Sequence, residues 1–267
     1  MPAKAVDALP AYDRVLFPTS HLELAVVQVK FPALARFDEE GYLTALKDAL
    51  STQYPLPTVE RAINVLLTPQ GVSQSAGPLI YRFSSLDQAW SVTLSADTVS
   101  LECRAYSEIR DFAARFCAIL EHVRQTLGPR YQLRFGMRYI NEFRHPHGTA
   151  YEGWVKLDLN PEILALGTRN VLGGTVKQTV SEFQINRSDG SLVVRHGFLD
   201  GTTVAPSVGR KAKSGPFYLL DLDYFDERAR DFDARPLDRM ILYNEFLYRV
   251  FRWCVGDGEL YRHLLSE

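Results

Sequence analysis

Short segments in which apolar and polar residues alternate follow one another along this chain, and that period of two constrains the fold more than any other feature. The clearest examples lie at residues 79–83, 90–94 and 99–103. Alternation sends successive side chains to opposite faces of a strand, so one face is buried while the other stays at least partly polar. The sequence therefore predicts an antiparallel sheet with one covered face and one open face.

Helical segments divide the strands into two runs of the same order. In the first run, a strand from Leu22 to Phe31 precedes a helix from Asp38 to Ser51. Four strands follow, the first from Val59 to Leu67, and then a helix that Ser107 caps and Gly128 ends. This order, β-α-β4-α, is that of an α+β protein.

The second run repeats the order approximately. Its predicted elements are a strand from Tyr131 to Phe143, a short helix from Pro161 to Leu166, a hairpin of Thr175 to Asn186 with Ser191 to Phe198, a strand from Pro216 to Phe225, and a helix from Pro236 to about Val255. We predict an arm at 1–19 and two halves, 20–129 and 130–267, with one continuous domain as the alternative. Together the halves form a curved, mainly antiparallel sheet with helices packed on one face.

Composition and charge exclude several classes of protein. The chain is 46% hydrophobic and 23% charged, as in ordinary globular proteins, and its formal net charge is −2. Nucleic-acid binders need a basic excess to neutralise phosphates, so a nucleic-acid partner is disfavoured. The apolar runs are too short to span a membrane, and the N-terminus lacks the apolar core of a signal peptide. Three scattered cysteines, Cys103, Cys117 and Cys254, fit a reducing cytoplasm.

Familiar catalytic motifs are absent from the sequence. It contains no GxxxxGK[ST] phosphate loop, no GxGxxG after a strand, no GxSxG turn and no HExxH helix. We predict no cofactor and no catalytic residue, although catalytic groups can assemble without local motifs. His145 and His147 lack further ligands at zinc spacing, and we interpret them as part of a solvated loop. The loop from Gly201 to Gly215, which carries Arg210, Lys211 and Lys213, is interpreted in the same way, with a phosphate-contacting loop as the alternative.

The strand from Tyr131 to Arg144 is the most informative segment. Its odd positions are largely apolar, while its even positions include Arg134, Arg138 and Arg144. Arginines on one face can hold a carboxylate or a phosphate through paired hydrogen bonds. Other polar candidates for a ligand- or partner-binding face lie on this strand and its expected neighbours. They are Asn141, Glu182, Asp221 and Asp223.

Two other interpretations of these residues stay open. The arginines can simply pair with Asp221, Asp223 or Glu182 across neighbouring strands, and such pairs are common and modestly stabilising. The Asp221-x-Asp223 pair can instead attract a hard cation, but two carboxylates are too few ligands, so we predict no metal site.

The C-terminal helix carries aromatic residues nearly all round. Tyr243, Phe246, Tyr248 and Trp253 cannot share one face, so the helix must be covered on more than one side. Either another part of the chain or a second subunit covers it. Aromatic helix surfaces are good anchors for protein partners, so we predict an interface at these four residues, by self-association or with another protein.

Arg134 to Asn141 (RFGMRYIN), Trp90 at the start of a strand, and Leu220 to Asp223 (LDLD) carry a resemblance over most of the chain. The sequence resembles a sporadically distributed family of prokaryotic proteins with no assigned biochemical activity. Sporadic occurrence implies a possible place in mobile or defence-related gene sets. The element order is also similar to that of tandem TATA-binding-protein-like folds, a likeness of topology that implies no function.

Taken together, the sequence favours a non-catalytic binding or adaptor protein that uses the open sheet face or the aromatic C-terminal helix. The alternative is an enzyme or sensor for a phosphorylated or carboxylated small molecule held by Arg134 and Arg138.

Overall fold

The computed structural model describes residues 9–15, 17, 21–35, 37, 40–68, 71–144, 178–202, 213–232 and 235–266. Within these residues it confirms an α+β fold with four helices and a large, mainly antiparallel sheet. The helices are α1 (Glu40–Leu50), α2 (Ile109–Leu127), α3 (Pro236–Val255) and α4 (Glu259–Ser266). None of the helices in this part of the chain is long and apolar enough to cross a membrane.

Eleven strands are described, nine of them in the large sheet. They are β1 (Leu22–Lys30), β2 (Leu56–Thr68), β3 (Gly71–Ser84), β4 (Trp90–Ser95), β5 (Thr98–Cys103), β6 (Tyr131–Gln132), β7 (Arg134–Phe143), β8 (Ser181–Asn186), β9 (Ser191–Thr202), β10 (Ser214–Asp226) and β11 (Arg230–Asp231). The strand order of the large sheet is β2-β3-β4-β5-β1-β7-β10-β9-β8, and β6 pairs only with β11. The first strands of the two predicted halves, β1 and β7, are therefore neighbours. They are flanked by β5 on one side and β10 on the other.

The chain forms two compact units. We call Val26–Gly136 with Asp226–Arg239 the N-terminal unit, and Met1–Ala25 with Met137–Phe225 and Met240–Glu267 the C-terminal unit. These units are not the contiguous halves 20–129 and 130–267 that the sequence predicts. The C-terminal unit takes in the predicted arm, and the N-terminal unit takes in the turn after β10.

In the N-terminal unit, β2 to β5 form an antiparallel meander on which α2 packs. The α2 side chains Phe112, Phe116 and Val123 are fully buried. Gly128 ends the helix in the left-handed conformation with φ of 64°, and its N–H donates to the carbonyl of Arg124, as predicted. The predicted cap Ser107 is wrong: Glu108 occupies the N-cap position, and its side chain makes no capping hydrogen bond.

The predicted strand from Tyr131 to Phe143 is interrupted at Leu133. Up to that point its pattern is inverted, because Gln132 is 2% exposed while Tyr131 and Leu133 are 53% and 43% exposed. Gln132 lies inside because β6 belongs to the separate two-stranded sheet, where its amide donates to the Asp231 carbonyl and accepts from Arg239. Tertiary pairing therefore overrides the alternation here.

In the C-terminal unit, β8, β9 and β10 form successive antiparallel pairs. The predicted hairpin is confirmed: Asn186 pairs with Ser191 across a turn in which the Arg187 N–H donates to the Gly190 carbonyl at 2.8 Å. A Cβ at position 190 would lie 2.7 Å from the Phe225 carbonyl oxygen, so the turn needs glycine there. Helix α3 begins at Pro236, as predicted. The predicted helix from Pro161 to Leu166 lies outside the described residues.

Candidate functional site

Four charged side chains lie side by side across four strands of the C-terminal unit. They are Arg138 on β7, Asp221 on β10, Arg195 on β9 and Glu182 on β8, which we call the charged row. Strand register places Asp221 opposite Arg195, and Arg195 opposite Glu182. Arg138 holds Asp221 through two hydrogen bonds, Nε to Oδ1 at 2.8 Å and Nη2 to Oδ2 at 2.6 Å.

The charged row lies on the face of the strands that points away from the helix. On β7 the odd positions contact α3: Phe143 packs on Phe251, and the Tyr139 hydroxyl accepts a hydrogen bond from Asn244. Alternation then turns the neighbouring even position, Arg138, to the opposite face. The prediction that this strand directs an arginine to the open face follows from the same alternation.

Burial separates the members of the row. The Asp221 side chain is 3% exposed, whereas those of Arg138 and Arg195 are 40% and 34% exposed. A buried carboxylate needs a cationic partner, and Asp221 has two, since Arg195 Nη1 lies 3.6 Å from its Oδ2. Asp221 therefore fixes Arg138 by hydrogen bonds, while Glu182 and Asp221 together position Arg195, and both arginine side chains stay partly exposed to solvent.

The charges of the row alternate in sign. Arg195 Nε also lies 2.5 Å from Glu182 Oε2, so the row reads plus, minus, plus, minus. The hydrogen bonds from Arg138 to Asp221 raise the pKa of that guanidinium, and Asp223, two residues farther along β10, adds to the effect. The contacts between Arg138, Asp221, Arg195 and Glu182 are thus the cross-strand ion pairs that the sequence offered as one interpretation.

The other predicted site residues lie elsewhere. Arg134 belongs to the N-terminal unit, where its Nη1 donates to Gln28 Oε1 at 3.1 Å. Asn141 lies on an odd position of β7, is 6% exposed, and donates to the Leu220 carbonyl. Arg144 lies over the ring of Phe217 and donates to the Gly215 carbonyl. The structure thus brings together Arg138, Glu182 and Asp221, with Asp223 next to them in β10.

Arg195 is the member of the charged row that sequence reasoning missed. The signal for it was present, because the hairpin that joins residues 186 and 191 also pairs residue 182 with residue 195. Extending the predicted hairpin by four pairs beyond Asn186 and Ser191 places Arg195 beside Glu182 on the same face.

The predicted aromatic interface on α3 is covered by its own unit. Tyr243 and Phe246 pack on Tyr224, with ring centroids 4.7 and 4.6 Å apart. The Tyr248 hydroxyl donates to the Asp13 carbonyl and accepts from the Val15 N–H. Trp253 is partly exposed.

The cover over Tyr248 is the N-terminal arm, the described part of which is residues 9–15 and Phe17. Arg249 donates to the carbonyls of Leu9 and Pro10, and the guanidinium of Arg252 lies over the ring of Tyr12. Phe17 packs edge-on against Phe251. Of the two covers that the sequence left open, another part of the chain is the one observed.

The described residues contain few other groups suited to nucleophilic or metal chemistry. The three cysteines are free, and burial raises the pKa of each thiol, to about 11 for Cys103, which keeps them protonated and unreactive. No group of three or more potential metal ligands occurs in this part of the chain. His145, His147, Arg210 and Lys211 lie outside the described residues.

Comparison with protein-family models finds no match, and comparison with curated proteins finds none either. The resemblance carried by RFGMRYIN and LDLD therefore stays a prediction, and it supplies no activity. Function must be argued from the charged row itself.

Proposed function

We propose that this chain is a non-catalytic binding protein that engages a protein partner through the open sheet face of its C-terminal unit. The observation that carries the proposal is the pairing of Arg138 with the buried Asp221 and of Arg195 with Glu182 and Asp221, which positions two arginines while both side chains stay partly exposed. Groups fixed before binding lose less conformational entropy when a partner arrives.

The shape of the row favours a macromolecule over a small ligand. Four adjacent strands about 4.8 Å apart spread the charges over about 14 Å of surface. A small anion would contact only one end of this row. A protein partner with acidic groups facing Arg138 and Arg195 and a basic group facing Glu182 would be complementary to the exposed charges along the whole row. Such charge complementarity sets the specificity and the association rate of a complex.

The covered α3 aromatics make the helix the weaker of the two predicted surfaces. Tyr248 already uses both hydrogen-bonding roles of its hydroxyl within the unit. A partner at this helix would first have to displace the N-terminal arm, whereas the charged row needs no rearrangement.

The test is affinity capture from cells that make the protein, with purified variants as baits. We expect Arg138→Gln and Arg195→Gln each to lose the partner that the wild-type chain retains, since each removes one fixed cation. Arg124→Gln is the matched control, because Arg124 forms an exposed ion pair with Glu121 on α2. Circular dichroism establishes that each bait is folded. Equal recovery of the partner by all four folded baits would overturn the proposal.

A further inference from the structure

A second arginine-rich cluster lies in the N-terminal unit, at the turn after β10. Asp226, with a side chain 3% exposed, is its centre, and Arg228, Arg230 and Arg239 surround it. Arg228 donates from its backbone N–H and from Nε at 2.8 Å, while Arg230 donates from Nη2 at 3.0 Å. We call these four residues the Asp226 cluster.

The Asp226 cluster holds more positive than negative charge. One carboxylate faces three guanidinium groups, and Arg228 and Arg230 keep 55% and 40% of their side chains exposed. Burial alone would raise the pKa of Asp226, but the hydrogen bonds from Arg228 and Arg230 outweigh it and hold that pKa at about 2. The carboxylate thus stays ionised and orients both exposed arginines. Nε and Nη2 of both arginines donate to Asp226, so a phosphate would meet the outer sides of the two charged groups.

An open depression of about 440 Å³ lies beside the cluster, lined by Tyr131, Ala229, Arg230 and Asp231. Pairing of β6 with β11 sets Tyr131 opposite Asp231 and Arg230 opposite Gln132. The Tyr131 side chain is 53% exposed, so its ring can be reached from solvent. The depression is shallow and open, so a small molecule bound there would keep part of its surface in solvent.

These groups are complementary to different parts of one molecule. Arg228 and Arg230 suit a phosphate, the exposed ring of Tyr131 suits stacking on a flat ring, and Asp231 can accept a hydrogen bond from a hydroxyl or amine. We propose that the depression beside the Asp226 cluster binds a nucleoside monophosphate, with the phosphate at the arginines and the base on Tyr131. This site is separate from the charged row and does not depend on it.

Calorimetric titration of the full chain with inorganic phosphate, adenosine monophosphate and adenosine tests the proposal. We expect phosphate to bind saturably and adenosine monophosphate to bind about tenfold more tightly, because stacking of the base adds to the phosphate contacts. Arg230→Gln should weaken both ligands about tenfold by removing a charged hydrogen-bond donor. Tyr131→Ala should reduce the affinity for adenosine monophosphate to that for phosphate.

Two controls localise the result. Arg235→Gln removes an arginine of the same unit whose side chain is 86% exposed, and Arg195→Gln removes one from the charged row. Both should bind phosphate as the wild type does. If Arg230→Gln does not fold, Arg230→Lys keeps the charge but loses the fork, and should still weaken phosphate binding.

Absence of saturable phosphate binding to the wild-type chain overturns the proposal, as does unchanged affinity in both Arg230→Gln and Tyr131→Ala. Loss of binding in Arg195→Gln with retention in Arg230→Gln would place the anion at the charged row instead, and would also overturn it.

Discussion

Substitution of Arg138 tests how strongly the arginines of the charged row interact with Asp221. Arg138→Gln deletes two charged hydrogen bonds, of 2.8 and 2.6 Å, to a carboxylate that is almost fully buried. Asp221 would keep only Arg195, at 3.6 Å. The variant therefore leaves a buried charge with a single distant partner.

The expected cost follows from these distances and exposures. Hydrogen bonds to charged groups contribute about 1.5–3 kcal/mol each, but Arg138 is 40% exposed, so water screens the pair and recovers part of the loss. We expect Arg138→Gln to destabilise β7 and β10 by about 2 kcal/mol, and Asp221→Asn by a similar amount. The double variant should cost about 1–1.5 kcal/mol less than the sum, because the two residues interact directly.

Hydrogen exchange of peptides from β7 and β10, followed by mass spectrometry, measures the local opening free energy in each variant. The Arg124–Glu121 pair on α2 provides the matched cycle, since both side chains are nearly half-exposed and water should screen their interaction almost completely. Additive effects of Arg138→Gln and Asp221→Asn would refute the reasoning, because they would show that the carboxylate does not hold the arginine.

Three further predictions concern other parts of the chain. The lowered pKa of Asp226 stabilises the folded state above pH ~4. The free energy of unfolding, measured at decreasing pH, should fall by about 1–3 kcal/mol as the pH drops from ~4 through about 2. Gly197→Ala should separate β8 from β9 and cost at least about 3 kcal/mol, measured by urea unfolding, because a Cβ there would lie 1.9 Å from the Thr179 carbonyl oxygen. Tyr248→Phe removes the hydroxyl that donates to the Asp13 carbonyl, and should speed tryptic cleavage within the arm about tenfold.

Each of the three has a result that contradicts it. Stability that stays constant between pH 4 and pH 2 would mean that the arginines do not stabilise ionised Asp226. A Gly197→Ala protein as stable as the wild type would rule out the close approach of Thr179. Unchanged cleavage in Tyr248→Phe would show that the arm does not depend on this hydroxyl.

Local patterns predicted most of the regular structure. β4 and β5 alternate cleanly, and α2 and α3 have long apolar stripes with recognisable ends at Gly128 and Pro236, so propensity, pattern and packing agree. The exceptions arise where tertiary pairing decides. Gln132 is buried because β11 pairs with its strand, and no local signal identifies the two-residue β11.

The charged row was only partly predictable. Arg138 and Asp221 follow from alternation, but their pairing depends on β7 lying next to β10, which strand order in the sequence does not reveal. The Asp226 cluster was missed because Arg228 lies in a loop and Arg230 in the two-residue β11, where no periodicity assigns a direction to a side chain. The arm was recognised as irregular, but its contacts with α3 join residues more than 200 positions apart.

Arginine-selective labelling of the purified chain, free and then bound to the captured partner, tests the central claim most directly. The account predicts that Arg138 and Arg195 react in the free protein and become protected together in the complex, while Arg124 reacts equally in both. Failure of Arg138 and Arg195 to react in the free protein, or equal reactivity with the partner bound, would contradict it.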